Sequence, residues 1–361
     1  MDDHRNKTKE MKEPSAASFW GPPASMRRRR LWYVPLLIGL SALAALILFI
    51  AHLSDITGFA RQAANAKAGP MFAAVATQAA PYLLSALVWL MFLRRAATPM
   101  TLSSLVPLSF AKLFADQALP TGGLSGAAFF LFALTRRGVP DKIAFRTFTF
   151  TTTAYFLAFL IAAIVSLAML SLAEKAPPAL SASVSAFAAI FLFLTIAVAL
   201  IILYKPTFSP SFIREHRFAA KAAEFAGAAV HDIRYMPSLF TKLAFILLAS
   251  RAIDGLTLML ISEAIGAPIS LWTGFVAVAI ASIAATIGPA PMGLGTFEAG
   301  MIASLTVFGA GVEDALTATL IYRGLTLWLP LLPGFIIIQR EFLQAREAAG
   351  PAEGQSDQNQ T

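Results

Sequence analysis

A cluster of helix-breaking residues and one carboxylate interrupts an apolar run near the C-terminal end of the chain. The sequence TIGPAPMGLGTFEAGM, residues 286–301, contains Pro291, Gly293 and Gly295, followed by Glu298. A half-helix that begins after such a break directs free backbone N–H groups and a positive dipole end at the space in front of it. The pattern therefore predicts a binding site for an anionic group. Glu298 is expected either to cap the half-helix or to contact the bound molecule.

Other charged residues also lie inside apolar segments, where a charge is costly and is a candidate for function. Arg323, in LIYRGLTLW, is expected to face a polar cavity and to pair with Glu298 or with a phosphate group, which a guanidinium grips at two points. Arg251 and Asp254 are three residues apart, a spacing that allows either a local ion pair or a binding role. Asp116 precedes a second break and is a further candidate for binding.

That break lies in the first half of the chain and resembles the one at residues 286–301; in chain order the two are called the first and the second break. In ALPTGGLSG, residues 118–126, Pro120-x-Gly122 matches Pro291-x-Gly293, and Gly123 follows. GVPDKIA at residue 138 also matches GVEDALT at residue 311, so that the two offsets are 171 and 173 residues. Exposed backbone is tolerated at membrane depth only against protein or a wet cavity. The two breaks therefore predict one shared polar cavity, with Gly122 and Gly123 among its lining residues.

The residue types needed for catalysis do not form a recognisable set. The chain has no cysteine, which excludes thiolate metal sites and cysteine nucleophiles. Its four histidines show no ligand spacing: His4, His52, His216 and His231. There is no nucleophile motif and no phosphate-binding loop of the kind that nucleotide-binding enzymes use. We therefore expect neither an enzyme nor a metal ion nor a cofactor.

The elements that position these residues are long apolar helices. Hydrophobic residues make up 57% of the chain and charged residues only 13%, about half the usual share of a soluble protein. Six stretches are long enough to span a bilayer, and their apolar residues are continuous rather than alternating: 31–53, 71–93, 147–172, 180–204, 243–265 and 315–338. The sequence predicts an all-α polytopic membrane protein with six full spans and two re-entrant broken hairpins.

The basic residues of the connections predict how the chain is oriented. Lysine and arginine concentrate on the cytoplasmic side of membrane proteins. Basic residues lie before 31, after 93, before 147, within 205–242 and after 338, which places those positions and both termini on the cytoplasmic side. The membrane is expected to be the cell (cytoplasmic or inner) membrane. The two hairpins then enter from opposite sides, which predicts an inverted-topology repeat of residues 71–172 and 243–338. This asymmetry accounts for the net charge of +8 without a nucleic-acid partner.

Three other segments complete the predicted organisation around a transmembrane domain at 31–340. Residues 1–30 form a polar cytoplasmic tail, and residues 341–361 are expected to be a disordered cytoplasmic tail. Within the 205–242 connection, apolar residues at helical spacing over 211–234 predict an interfacial helix on the inner leaflet, with a solvated connector as the alternative.

The second break and the last span together resemble a known family signature. IGPAPMGLGTFEAG followed by GVEDALTATLIYRGLTLWLPLLPG is similar to the C-terminal part of the membrane region of lysylphosphatidylglycerol synthase/flippase proteins and their stand-alone relatives. ALPTGGLSGAAFFLFALTRRGV resembles the first-half signature of one branch. The resemblance covers most of 31–340 and implies an integral membrane protein that handles or flips lipids. The resemblance does not extend to the soluble aminoacyl-transfer domain of the full synthase, so aminoacylation of lipid is not expected. Phe129 and Phe130 stand where many relatives have an arginine.

Three functions fit these observations. The first is translocation of an anionic, modified or polyprenyl-linked lipid. The second is a lipid-binding membrane subunit for a separate lipid-modifying enzyme. The third is an ion-coupled transporter of a small solute, with Asp116 or Glu298 carrying a proton. The expected partners are a membrane phospholipid or lipid-linked intermediate, and either a second copy of the chain or that separate enzyme.

Overall fold

The chain folds into a set of packed helices, as its composition predicts. The computed structural model describes residues 62, 64–98, 100–118, 124–171, 182, 185–186, 189, 227–287 and 291–348, among which there is no strand. The helices are α1 Ala68–Thr77, α2 Ala79–Arg95, α3 Leu102–Ala118, α4 Leu124–Arg136, α5 Asp141–Ser171, α6 (227–235), α7 Pro237–Ala264, α8 Leu271–Ile287, α9 Thr296–Val307, α10 Val312–Arg323 and α11 Leu329–Ala348.

Four helical segments are long and apolar enough to cross a membrane. They are Ala68–Arg95, Asp141–Ser171, Pro237–Ala264 and Val312–Ala345. Each contains one of the predicted spans or most of it, and the all-α polytopic fold is confirmed. The predicted span at 31–53 lies outside the described residues, and so does the span at 180–204 except for a few isolated positions.

The first of these four segments is interrupted near its middle. Helix α1 ends at Thr77, Gln78 lies between the helices, and α2 begins at Ala79. Pro81 explains the interruption, because it has no N–H to donate to the carbonyl of Thr77 and its ring crowds that carbonyl. The sequence analysis treated this segment as an unbroken span, so the break at Gln78 is a difference between prediction and structure.

The two predicted hairpins are present as pairs of short, closely packed helices. Helix α3 packs on α4, and α8 packs on α9. A side chain at Gly300 in α9 would lie 2.9 Å from Cβ of Ala284 and 3.2 Å from Cα of Ala281, so the glycine allows α8 and α9 to approach closely. The arms have 17, 13, 17 and 12 residues, and the later arm of each pair is too short to span the lipid core.

The contacts of the two halves correspond helix by helix. In the first half α2 packs on α3, α4 on α5, and α2 on α5. In the second half α7 packs on α8, α9 on α10, and α7 on α10. The contacts between the halves are also reciprocal, because α3 packs on α11 while α8 packs on α5. Two repeats related by a twofold axis produce this pattern; the superposition of 71–172 on 243–338 remains a prediction.

Hydrogen bonds and ion pairs group the helix ends into two sets. At one end, Gln62 Nε2 donates to Asp314 Oδ1 at 2.5 Å, and the Lys67 N–H donates to the Ala264 carbonyl at 2.8 Å. At the other end, Arg137 pairs with Glu341. The loop charges, together with the spans between them, predict that residues 62–67, 264 and 314 lie on one side of the membrane and residue 137 on the other. These contacts agree with that grouping.

Two segments near the Arg137 end differ from their predicted description. Residues 341–361 were expected to be a disordered tail, but α11 continues to Ala348 and Glu341 is buried. Its carboxylate neutralises Arg137, and this contact holds the last turns of α11 against α4. In the predicted interfacial helix, residues 211–226 lie outside the described residues. The final turns, 227–235, pack on the protein, since Asp232 is fully buried and ion-paired with Arg146.

Candidate functional site

The second break is a turn whose backbone is held in an uncommon conformation. Residues Pro291–Gly293 form a short 3-10 turn that follows α8 in the chain and precedes α9. Gly293 and Gly295 have φ of 65° and 81°, which favour glycine, and Met292 adopts φ 60° although it has a side chain. A side chain at Gly293 would lie 2.5 Å from Cβ of Ala285, so the turn also packs tightly against α8.

Glu298 caps the half-helix that follows this turn. Its Oε2 accepts the Gly295 N–H at 2.6 Å, and its Oε1 accepts from Nε of Arg323 at 2.7 Å. Both side chains are buried, with 7% of Arg323 and 6% of Glu298 exposed. From the sequence Glu298 is expected either to cap the half-helix or to contact the bound molecule. In the structure it caps the half-helix and also pairs with Arg323, while contact with a bound molecule stays a prediction.

Arg323 makes further contacts to the same turn. Its second terminal nitrogen donates to the Met292 carbonyl at 3.0 Å, and its guanidinium carbon lies 4.6 Å from the centre of the Phe297 ring. Arg323 thus neutralises Glu298 and satisfies a carbonyl at the strained residue of the turn. Of the two partners predicted for Arg323, the structure contains the protein carboxylate.

A helical irregularity follows Arg323 directly. Residues Gly324–Trp328 form a π-helical segment, in which the Leu329 N–H reaches the Gly324 carbonyl. Pro330 cannot donate to the Thr326 carbonyl, so the regular hydrogen-bond pattern cannot continue through this point. Tyr322 packs flat against Phe297, with ring centres 6.1 Å apart, and is buried beside the ion pair.

A second polar group lies on the middle of α7. Arg251 and Asp254 form an ion pair with an Nη1–Oδ2 distance of 3.3 Å, and the Arg251 guanidinium carbon lies 5.6 Å from the Tyr155 ring centre on α5. Tyr322, the residue before Arg323, is close enough to Arg251, Asp254 and Arg323 to interact electrostatically with all three. The structure thus brings the two predicted charged pairs into one polar region.

Three neutral polar residues belong to this region and were not identified from the sequence. Gln78 Nε2 donates to Thr257 Oγ1 at 2.9 Å, and the hydroxyl groups of Thr77 and Thr257 are 2.8 Å apart. The Gln78 side chain also interacts with Asp254. Pro81 is the sequence signal that could have identified them. It has no N–H for the carbonyl of Thr77, so it predicts a helix break at Thr77 and Gln78.

The first break contributes a carboxylate next to a glycine. Asp116 Oδ2 accepts from Lys112 at 2.7 Å, and its carboxylate lies against Gly126, where a side chain would come within 2.0 Å of Oδ1. Gly122 and Gly123 lie outside the described residues, and of Pro291 only the backbone is described. Helix α3, which carries Asp116, contacts the Pro291–Gly293 turn, so the two hairpins meet near their breaks.

Phe129 and Phe130, the residues that depart from the family pattern, are packing residues. Both are buried, and the ring centres of Phe130 and Trp89 are 4.5 Å apart.

Within the described ranges, no three His, Asp or Glu side chains come together in a way that could hold a metal ion.

Broken apolar helices from two corresponding halves, with paired charges at the breaks, define a polytopic membrane protein with a polar centre. The comparison with family models identifies its kind, since the model described as "Lysylphosphatidylglycerol synthase TM region" matches residues 35–334. The chain belongs to this family, whose members are membrane proteins related to lipid modification or translocation. A search of curated proteins finds no match.

Proposed function

We propose that the protein binds an anionic, modified or polyprenyl-linked lipid and translocates it across the cytoplasmic membrane. The observation that carries this proposal is the polar region formed by both halves of the chain. Gln78 and Thr77 come from the first half, Arg251, Asp254 and Thr257 from α7, and Arg323 with Glu298 from the second break and the last span. Membership in a lipid-handling family supports a lipid as the molecule that uses it.

Such a region lowers the barrier that a headgroup meets in the lipid core. A charged group at the centre of a bilayer costs several kcal/mol or more without polar partners. Paired charges, hydroxyl groups and helix breaks replace part of its hydration while the acyl chains remain in the surrounding lipid. In this mechanism Glu298 and Arg323 hold the 291–295 turn in its strained conformation, so that the backbone of the break stays fixed as the headgroup passes.

The proposal includes an orientation and a location. Both termini, and the end of the molecule that carries Arg137, Arg146 and Glu341, face the cytoplasm, and the Gln62–Asp314 end faces the outside. The basic residues of the first end support this assignment. The membrane in which the protein is proposed to lie is the cytoplasmic, or inner, membrane.

Reconstitution into vesicles tests the proposal. Vesicles of phosphatidylcholine that contain fluorescent phosphatidylglycerol are treated with an impermeant quencher, with and without the protein. We expect the protein to expose the inner-leaflet lipid to the quencher, and protein-free vesicles to protect it. An intact, correctly inserted protein that leaves the inner lipid protected contradicts translocation.

A second measurement separates the alternatives. Phospholipid that co-purifies with the protein but is not moved favours a lipid-binding subunit of a lipid-modifying synthase, which the family description also suggests. Neither bound nor moved lipid, together with solute uptake driven by a proton gradient, favours an ion-coupled solute transporter. Mass spectrometry of the purified protein identifies any bound lipid directly.

A further inference from the structure

The two intramembrane arginines of the polar region differ in how fully their donors are used. Arg323 donates to Glu298 and to the Met292 carbonyl, contacts Phe297, and is 7% exposed. Arg251 has one polar contact among the described residues, the 3.3 Å approach to Asp254, and no hydrogen bond to any of them. Its side chain is 24% exposed. A guanidinium has five N–H donors in a fixed planar arrangement. Arg323 uses two of them in hydrogen bonds and is almost fully buried, whereas Arg251 uses none in a hydrogen bond to the described residues and is more exposed, so its donors are the more accessible to a ligand.

Arg251 is placed where a translocated headgroup has the greatest need of a partner. It lies 14 residues into the 28-residue helix α7, which is about 21 Å from the start of the helix and about 20 Å from its end. Its aromatic neighbour Tyr155 is likewise near the middle of α5. A headgroup that reaches Arg251 has therefore crossed about half of the lipid core, which is about 30 Å thick.

The surroundings of Arg251 suit an amphipathic ligand. Tyr155 is 37% exposed beside it, and Phe156, whose ring centre lies 5.9 Å from that of Tyr155, is 44% exposed, so that both present aromatic surface at the depth of acyl chains. Asp254 faces Arg251 from the next turn of α7 and lowers the cost of the buried charge while no ligand is present. Because that ion pair is long, a phosphate oxygen can approach the remaining donors without displacing a short hydrogen bond.

We propose that Arg251 binds the phosphate group of the lipid headgroup halfway across the membrane, with Tyr155 beside it. This inference rests on the proposed function and names its substrate class, a lipid that carries a phosphate monoester or diester. Arg323 is then a positioning residue that holds the second break, and Asp254 is the partner of Arg251 between substrates. The planar two-point contact of a guanidinium with phosphate sets the expected difference between arginine and lysine at residue 251.

The test compares two lipids in the vesicle assay. One fluorescent probe is phosphatidylglycerol, and the other is a glucosyl diacylglycerol, which has a neutral sugar headgroup and no phosphate. We expect Arg251→Lys to slow movement of phosphatidylglycerol about tenfold, because charged hydrogen bonds are lost, and Arg251→Gln to slow it further. Movement of the glucosyl lipid is expected to stay at the wild-type rate in both variants. Lys142→Gln, at an exposed residue at the start of α5, is the matched control.

The outcomes distinguish this inference from the proposed function. If the wild-type protein moves neither lipid, the proposed function fails. If it moves phosphatidylglycerol and Arg251→Gln moves it equally well, the function stands and the phosphate site is wrong. Equal slowing of both lipids also overturns the site, since it shows that Arg251 is structural. If Arg251→Gln does not fold, Arg251→Lys and Tyr155→Leu carry the same comparison.

A binding measurement separates a lipid headgroup from free phosphate. Native mass spectrometry counts phosphatidylglycerol bound to the detergent-solubilised protein, with and without inorganic phosphate in excess. We expect bound lipid in the wild type, loss of most of it in Arg251→Gln, and no displacement by inorganic phosphate. If inorganic phosphate displaces the lipid and the displacement requires Arg251, the residue binds phosphate, but its ligand is the soluble ion. That result overturns the assignment to a lipid headgroup. Equal lipid binding in both proteins overturns the proposal.

Discussion

At the scale of single residues, the structure separates charges that hold the fold from charges that remain available. Arg323 and Glu298 look like the obvious binding pair in the sequence, because they lie beside a break. In the folded chain they are each other's partners, and both also bind the backbone of the 291–295 turn. A local sequence pattern identifies an intramembrane charge, but only its distance from every other charge shows whether it is already neutralised.

The Arg323–Glu298 pair is expected to contribute strongly to stability. Removing one partner of a buried ion pair typically costs about 3–5 kcal/mol, because the other charge is left uncompensated. We therefore expect Arg323→Gln to lower the thermal unfolding midpoint in detergent clearly. The double variant Arg323→Gln/Glu298→Gln should be more stable than the single one, since no buried charge remains unpaired. A single variant as stable as the wild type would show that the pair does not hold the turn.

Two glycines of the same turn allow conformation and packing to be tested separately. Gly293 and Gly295 both have positive φ, but only at Gly293 would a side chain collide, with Ala285. We expect Gly295→Ala to cost about 1 kcal/mol from backbone strain alone and Gly293→Ala to cost about 1–3 kcal/mol more from overpacking. Thermal unfolding measures the difference. Equal losses in the two variants would argue against the close contact between the turn and α8.

At the scale of helices, prolines decide where the membrane segments are interrupted. Pro81 explains the break between α1 and α2, and Pro330 follows the π-helical segment after Arg323. Both irregularities lie next to the polar region, so the groups that line it come from helices that are not regular. Elsewhere the helices pack tightly. Gly334 of α11, for example, lies against the Phe110 carbonyl of α3, where a side chain would not fit.

A buried ion pair connects α5 to the short helix α6. Arg146 binds both oxygens of Asp232, whose side chain is fully buried. We expect Arg146→Gln to destabilise the protein by about 3–5 kcal/mol, because Asp232 is left buried without its partner. Lys142→Gln, one turn earlier on α5 and exposed, should change stability by less than about 0.5 kcal/mol. The comparison uses thermal unfolding, and similar midpoints for the two variants would contradict a structural role for the pair.

At the scale of the whole molecule, the two halves use corresponding helix–helix contacts. The reciprocal packing of α3 on α11 and of α8 on α5 places each hairpin against the final span of the other half. If the halves are inverted as proposed, each hairpin is reached from a different leaflet, which is the arrangement that the proposed movement of a lipid requires.

The orientation of the whole molecule is testable because the chain has no cysteine of its own. Single cysteines at Glu263 and Glu313, both exposed at the Gln62–Asp314 end, are expected to react with an impermeant thiol reagent added to intact cells. Cysteines at Lys142 and Arg340, exposed at the opposite end, should react only after permeabilisation. The reverse pattern would invert the orientation, and reaction of all four in intact cells would contradict a spanning fold.

The sequence by itself determined the class of the protein, because the length of an apolar helix and the position of a helix breaker are local properties. It located the span at 71–93, all but the last residue of the span at 243–265, the two hairpins, and the charges Arg251, Asp254, Glu298 and Arg323. Gln78 was missed because its importance depends on Thr257, which is far away in the chain.

Only the tertiary structure decided which charges the protein itself pairs closely and which keep a single, longer contact. Glu298 is one residue among several that Arg323 could have met, and Glu341 was assigned to a tail until its contact with Arg137 placed it in the fold. Electrostatic pairing depends on distance in space, with an energy that falls off over a few ångströms and is not encoded in spacing along the chain. That Arg251 makes no hydrogen bond to the described residues follows from that geometry alone.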